Sequence, residues 1–154
     1  MENTKIKILY VDDESNNLSA FKALFRRTFD IHTALSAQEV KILLKEHDFH
    51  IILTDQRMPG TTGVEFLESI IPDYPNPIRI LITGYADIQA VINAINKGQV
   101  YRYITKPWEE NELKSVFENA YEVYALREAN RDLTAKLLKA NEQLDFMLRQ
   151  KLIS

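Results

Sequence analysis

Three aspartates, a threonine and a lysine each stand at the end of a run of apolar residues in this sequence. Asp12 and Asp13 follow "KIKILYV", Asp55 ends "HIILTD", Thr83 ends "IRILIT", and Lys106 follows "VYRYIT". Three carboxylates close together would repel and raise one another's pKa, and a hard dication relieves this. Oxygen ligands and retained waters suit Mg²⁺ better than zinc. With a hydroxyl and a cation nearby, such a cluster can handle a phosphoryl group, with an aspartate carboxylate as nucleophile.

The apolar runs read as strands that alternate with helices. The predicted strands cover residues 5–13, 30–35, 50–55, 78–84 and 100–105. Four helices are predicted between the strands. Apolar residues at helical spacing mark the first (Leu18, Phe21, Phe25 and Phe29), the third (Val64 to Ile71) and the fourth (Ile88 to Ile95, ending at Gly98). A capping box at Ser36–Glu39 marks the start of the second. Such alternation predicts an α/β fold, a doubly wound five-stranded parallel sheet of flavodoxin-like order 2-1-3-4-5. In that order the carboxyl ends of strands one and three meet beside the ligand crevice.

Four short motifs, in order along residues 5 to about 122, resemble the receiver domains of bacterial two-component response regulators. They are "VDDE" (11–14), "TDQRMPGTTG" (54–63), "LITGYAD" (81–87) and "YRYITKPW" (101–108). The resemblance implies that Asp55 is the phosphoacceptor. It also implies that Asp12, Asp13 and Asp55 hold Mg²⁺ together with the backbone carbonyl of Arg57.

The same resemblance implies roles for residues around the acceptor. Thr83, Gly84 and Lys106 are expected to contact the phosphoryl oxygens, and Thr83 and Tyr103 to form the switch. The Lys106–Pro107 peptide bond is expected to be cis. The family uses the face made by helix four, strand five and helix five for dimerisation or partner binding, so a phosphorylation-dependent change is expected there.

The last 46 residues, from Glu109 to Ser154, contain no glycine or proline and favour one long helix. Residues 1–122 are predicted to form the receiver domain, and residues 123–154 a helical extension that serves as a coiled-coil linker. Apolar residues spaced three and four apart define its predicted seam, whose members are Val123, Leu126, Asn130, Leu133, Leu137, Ala140, Leu144 and Met147. A buried Asn130 would fix the pairing register at some cost in stability. The sequence leaves open parallel or antiparallel pairing.

The composition limits which binding partners and which cellular compartment are expected. The net charge of −3 gives no electrostatic case for nucleic acid or an anionic membrane, and the chain has no cysteine. No apolar run reaches the roughly 18 residues of a membrane span. The sequence therefore predicts a soluble, cytoplasmic protein without direct nucleic-acid or membrane binding.

The leading interpretation is a regulatory domain rather than an enzyme, catalysing only its own phosphoryl transfer and dephosphorylation. Its expected partners are a histidine kinase or phosphotransfer protein, a second copy of the chain, and a downstream effector. One alternative is a dimerisation module that keeps the fold but works without phosphorylation. Another is a Mg²⁺-dependent aspartyl phosphatase, which usually needs a second acid just beyond the nucleophile, where this chain has Arg57.

Overall fold

A computed structural model describes residues 5–153 of the chain. The strands are β1 (Lys7–Val11), β2 (Asp30–Ala34), β3 (Ile51–Asp55), β4 (Arg57–Met58), β5 (Thr61–Thr62), β6 (Ile78–Thr83) and β7 (Arg102–Thr105). The helices are α1 (Ser15–Phe25), α2 (Ala37–Glu46), α3 (Gly63–Ile70), α4 (Ile88–Asn96), preceded by a 3₁₀ turn (Tyr85–Asp87), and α5 (Glu110–Ile153). Five strands form one parallel sheet in the order β2-β1-β3-β6-β7. Since β6 and β7 are the fourth and fifth predicted strands, the flavodoxin-like order is confirmed.

The two faces of the sheet are covered by different helices. One core cluster joins Phe21 and Phe25 of α1 to Phe117 of α5, and the other joins α2, α3 and α4 through Val40, Leu67 and Val91. Neighbouring residues along β3 alternate between these two clusters. Burial on both faces explains why the strand sequences are almost continuously apolar.

The capping chemistry differs in part from the sequence prediction. At α2, Glu39 N–H donates to Ser36 Oγ, as predicted, but the Glu39 carboxylate accepts from Leu35 N–H. A complete capping box lies instead at α3, where Thr62 and Glu65 each accept the other's backbone N–H. The box places the start of α3 at Gly63, one residue before the predicted Val64.

A short antiparallel pair, β4 and β5, follows the tip of β3 and was not predicted. Pro59 and Gly60 form the turn between the two strands, and Gly60 has a φ of +82°. This is the left-handed conformation that the third residue of a type II turn requires and that glycine adopts without steric cost. Each strand has two residues, which is too short to show alternation in a sequence.

Phe29 fits the helical spacing of α1 but lies outside the helix, which ends at Phe25. Its N–H still donates to the Phe25 carbonyl, and its ring is buried in the same core cluster. The helical spacing therefore indicated that the Phe29 side chain is buried, although the helix ends before it. Similarly, β7 begins at Arg102, whereas the prediction began the strand at Val100, which is buried ahead of it.

Helix α5 is continuous over 44 residues, or about 66 Å at 1.5 Å per residue. It packs on the sheet through Leu113, Val116 and Phe117, and Val123 and Tyr124 remain half-buried against that core. Contact thus extends past residue 122, the expected end of the domain. Within residues 5–153, no helix is both long enough and apolar enough to cross a membrane.

Candidate functional site

Asp12, Asp13 and Asp55 meet at the carboxyl edge of the sheet. Asp55 is the last residue of β3, and Asp12 and Asp13 directly follow β1, the neighbouring parallel strand. One carboxylate oxygen from each of the three lies within 4.8 Å of those from the other two. Asp12 and Asp55 are 1% and 6% exposed, while Asp13 is open to solvent.

The Asp12 carboxylate is held by three donors. Oδ2 accepts from the Tyr10 hydroxyl at 2.7 Å and from Asn17 Nδ2 at 3.1 Å. Oδ1 accepts from the backbone N–H of Glu14 at 2.9 Å. Burial, and then the adjacent Asp12 carboxylate, raise the pKa of the Tyr10 phenol, so it remains a protonated donor.

Lys106 reaches the site from the tip of β7. Its Nζ lies 2.9 Å from Asp55 Oδ2, and its backbone N–H donates to the Thr83 carbonyl at 3.0 Å. The Lys106–Pro107 peptide bond is cis. Thr83 is fully buried at the end of β6, and its hydroxyl donates to the Gly84 carbonyl at 3.1 Å. Apart from Gly84 and its two chain neighbours, no described atom lies within 4 Å of the place that a Cβ of Gly84 would occupy, so this position faces open space.

The loop after Asp55 joins the site to the start of α4. Arg57 N–H lies 3.4 Å from Asp55 Oδ1, and the Arg57 side chain forms an ion pair with Asp87 at 2.8 Å. The hydrogen bond to Asp87 is the main cause that raises the pKa of Arg57. This pair ties the loop after β3 to the 3₁₀ turn. The arginine side chain is 74% exposed, so the pair adds little stability.

Tyr103, the second predicted switch residue, and the seam residues lie outside the acid cluster. Tyr103 is half-buried and packs against the core cluster of α2, α3 and α4. Among the seam residues, Val123 packs on the domain, whereas the residues that follow lie on the exposed part of α5. Its large apolar members beyond Val123 are 55–70% exposed: Leu126, Leu133, Leu137, Leu144 and Met147.

Several residues at the site went unnoticed in the sequence. Tyr10 and Asn17 hold Asp12, and Asp87 pairs with Arg57. The only signal was a tyrosine in a strand, "KILYV", whose other inward residues are aliphatic. Asn17 and Asp87 carried no signal, because their contacts depend on how α1 and the 3₁₀ turn are placed in space.

The donor set suits a hard divalent cation. Three carboxylates supply oxygen ligands only, which is the chemistry that Mg²⁺ prefers. Lys106 neutralises part of the remaining charge at Asp55, the carboxylate nearest to it. The arrangement therefore fits binding of a cation together with an anionic group such as a phosphoryl group.

Comparison with known proteins identifies the class. Residues 8–118 match the family model described as response regulator receiver domain. The chain belongs to this family of receiver domains. Receiver domains are regulatory parts of two-component systems.

Proteins of similar sequence agree with this assignment. The chain is 35% identical over 154 residues to the hydrogenase transcriptional regulatory protein HoxA of Cupriavidus necator, covering 100% of this chain and 32% of the relative. A HoxA from Bradyrhizobium diazoefficiens is 36% identical over 120 residues, 78% of this chain and 25% of the relative. The chain thus spans about a third or less of the length of these relatives.

Solved structures show the same fold. A response regulator receiver domain protein from Clostridium thermocellum is 30% identical, with a TM-score of 0.72 over 78% of this chain and 97% of that one. A structure described as adenylate cyclase from Rhodopirellula baltica is 30% identical, with a TM-score of 0.82 over 86% of this chain and 98% of that one.

Proposed function

We propose that the chain is a signalling switch that accepts a phosphoryl group on Asp55 from a histidine kinase or phosphotransfer protein. The observation that carries this proposal is the contact of Lys106 Nζ with Asp55 Oδ2 at the edge where the three aspartates meet. A lysine and three carboxylates at adjacent strand tips provide both a nucleophile and groups that bind phosphoryl oxygens. Membership in the receiver family supports the same assignment.

In the proposed transfer, an Asp55 carboxylate oxygen attacks the phosphorus of a phosphohistidine. The new oxygen–phosphorus bond forms as the phosphorus–nitrogen bond breaks, and the leaving ring nitrogen keeps the electron pair and takes up a proton. Lys106 would move from the carboxylate to a phosphoryl oxygen, where its charge is needed more. Mg²⁺, held by Asp12, Asp13, Asp55 and the Arg57 carbonyl, would neutralise charge on the phosphoryl oxygens.

The added phosphoryl group would bring about 1.5 to 2 negative charges to this edge of the sheet. Thr83 would respond by turning its hydroxyl from the Gly84 carbonyl toward a phosphoryl oxygen, with Gly84 leaving room. Tyr103 would follow inward and alter the surface formed by α4, β7 and α5. Shifting such a switch from 1:99 to 99:1 requires about 5.5 kcal/mol of differential stabilisation.

We assign the output to the extension of α5. Residues 1–122 would form the receiver and residues 123–154 a coiled-coil linker that joins two copies and passes the signal to an effector. The exposed apolar residues from Leu126 to Met147 support pairing. The name of the HoxA relatives, as transcriptional regulators longer than this chain, supports a downstream effector.

The exposed seam also favours a second candidate, a dimerisation module that works without phosphorylation. It predicts that removing the Asp55 carboxylate leaves assembly and partner binding unchanged. The phosphatase alternative lacks such support, because the Arg57 side chain occupies the position of the second acid and is paired with Asp87.

The test is phosphoryl uptake from phosphoramidate, followed by intact-protein mass spectrometry. We expect one phosphoryl group on the wild-type chain with Mg²⁺, none with a chelator, and none on Asp55→Ala. The matched control is Asp73→Ala, which removes an exposed carboxylate from the loop between α3 and β6, and which should be modified like the wild type. Uptake by Asp55→Ala equal to wild type would overturn the assignment.

A further inference from the structure

Tyr10 is the one buried aromatic residue of β1, and its hydroxyl is directed at the acid cluster. The ring packs against Phe21 with centroids 4.5 Å apart, a contact that phenylalanine would make equally well. The hydroxyl lies 2.7 Å from Asp12 Oδ2. A buried hydroxyl without a partner is costly, so this contact is what makes a tyrosine acceptable at the position.

The acceptor sites of Asp12 are largely occupied by protein donors. A carboxylate has about four lone-pair sites, two on each oxygen. Tyr10 and Asn17 take those of Oδ2, and Glu14 N–H takes one on Oδ1. One site, on Oδ1, therefore remains for a cation or its bound water.

We propose that Tyr10, assisted by Asn17, is a positioning residue that leaves Asp12 a single oxygen for the cation and so favours Mg²⁺ over Ca²⁺. The inference rests on the proposed function, since it concerns the cation of the same site. Mg²⁺ has a small octahedral shell, whereas Ca²⁺ takes six to eight oxygens and often both oxygens of a carboxylate. With Oδ2 occupied, Asp12 can offer one oxygen to the small shell of Mg²⁺ but cannot offer both oxygens to Ca²⁺.

A hydroxyl that serves only packing and a hydroxyl that positions Asp12 predict different results. If Asp12 only provides a hydrogen-bond partner for the buried hydroxyl, removing the hydroxyl affects folding stability and leaves the cation preference unchanged. If it positions Asp12, its removal releases Oδ2, weakens the orientation that suits Mg²⁺ and relieves the restriction on Ca²⁺. The ratio of the two dissociation constants separates these cases.

The experiment titrates Mg²⁺ and Ca²⁺ separately into the full chain and follows the fluorescence of Trp108. This residue is the only tryptophan and lines a depression together with Tyr10, Asn17 and Lys106. For Tyr10→Phe we expect the Kd for Mg²⁺ to rise about tenfold, as for loss of other groups that orient metal ligands. The Kd for Ca²⁺ should change less than about twofold, because the release of Oδ2 and the loss of orientation act in opposite directions for Ca²⁺, so the preference for Mg²⁺ falls.

The matched control is Tyr74→Phe, which removes a hydroxyl from a half-buried ring remote from the aspartates and should leave both constants unchanged. Asn17→Ala, at an exposed position, should shift the preference in the same direction by a smaller factor and tests the inference if Tyr10→Phe does not fold. Unchanged constants, or equal weakening for both cations, would overturn it. A wild-type chain that binds neither cation would instead overturn the cation site of the proposed function.

Discussion

At the scale of single residues, Gly63 fixes the backbone that carries the Asp55 carboxylate. A Cβ at Gly63 would lie 2.5 Å from the Asp55 carbonyl oxygen and 2.6 Å from a methyl group of Leu81. Gly63 N–H also donates to the Gln56 carbonyl at 2.8 Å. The start of α3 is thus pressed onto the tip of β3, and only a residue without a side chain fits there.

We therefore expect Gly63→Ala to reduce the free energy of unfolding by about 1–3 kcal/mol, since backbone must move to accept the methyl group. Phosphoryl uptake should also slow, because the moved backbone is that of Asp55. Urea denaturation measures the first effect, and the phosphoramidate assay the second. Gly84→Ala is the control: its added methyl group meets open space, so stability should change by less than about 0.5 kcal/mol. Equal stability losses in the two variants would contradict the argument.

The residue types of the site could be predicted from the sequence, but the contacts among them could not. Asp12, Asp13 and Asp55 stand at strand ends that the fold must bring together, so their clustering follows from topology alone. The Arg57–Asp87 pair depends on the side-chain conformation of an exposed arginine. The role of Gly63 could not be predicted either, because a close approach between two backbones leaves no local sign in the sequence.

At the scale of elements, His50 joins β1 and β3 to the root of α5. Its Nδ1 accepts the Lys7 backbone N–H at 2.9 Å, and its ring makes edge contacts with Tyr121 and Tyr124, at centroid distances of 5.0 and 4.9 Å. The sequence showed only a histidine without metal-ligand spacing. The role of His50 becomes visible once α5 is placed across the amino ends of the strands.

Burial first, and then the charge of Lys7, lower the pKa of His50, while Asp48 and Glu128 raise it less. Above the ordinary value of about 6.5 neither the folded nor the unfolded chain protonates this ring. As the pH falls below that value, the unfolded chain takes up a proton that the folded chain does not. The free energy of unfolding therefore decreases until the pH reaches the lowered pKa.

His50→Gln keeps an oxygen that can accept the Lys7 N–H and removes the titrating group. We expect the wild type to lose more stability between pH 7.5 and pH 5.5 than this variant, as measured by urea denaturation at both values. His32, whose pKa is also lowered by burial, is present in both proteins, so its contribution cancels. Equal losses in the two proteins would show that the pKa of His50 is the same in the folded and the unfolded chain.

The order and type of the elements were predictable because apolar runs and helical spacing are set by burial on the two faces of the sheet. The residues at which the helices and strands begin and end were less predictable. Thr62 is both the last residue of β5 and the residue that caps α3, so the point where strand gives way to helix is fixed only in the folded chain. Phe29 kept the helical spacing because the core continues beyond the end of α1.

At the scale of the whole molecule, the part of α5 from Ala125 to Ile153 is exposed along its whole length. Isolated helices are only marginally stable in water. Two ion pairs on its surface, Arg131–Glu128 and Arg149–Asp145, contribute roughly 0.2–0.5 kcal/mol each. Burial of the exposed leucines against a second copy is the larger available contribution.

If that pairing occurs, light scattering should give about twice the chain mass of 17.9 kDa over a range of concentrations. Leu133→Glu combined with Leu137→Glu places charges in the seam and should return the mass to that of one chain. Ala135→Glu, on the outward face of the same turns, is the matched control and should stay dimeric. A wild-type chain that remains a monomer at every concentration would contradict the pairing and leave the Asp55 site unaffected.

The same light-scattering measurement, repeated with beryllofluoride and Mg²⁺ as a mimic of the phosphoryl group, decides whether phosphorylation changes pairing of the α5 extension. A mass that changes in the wild type but not in Asp55→Ala would make assembly the output of the switch. A dimer in both states would place the signal in the register of the two helices or in a partner. Because α5 runs unbroken from the core contact of Phe117 to the exposed Leu144, it provides a continuous path along which a shift near Phe117 can reach the seam. We therefore expect the mimic to alter the dimerisation constant of the wild type, and an unchanged constant would rule out assembly as the output.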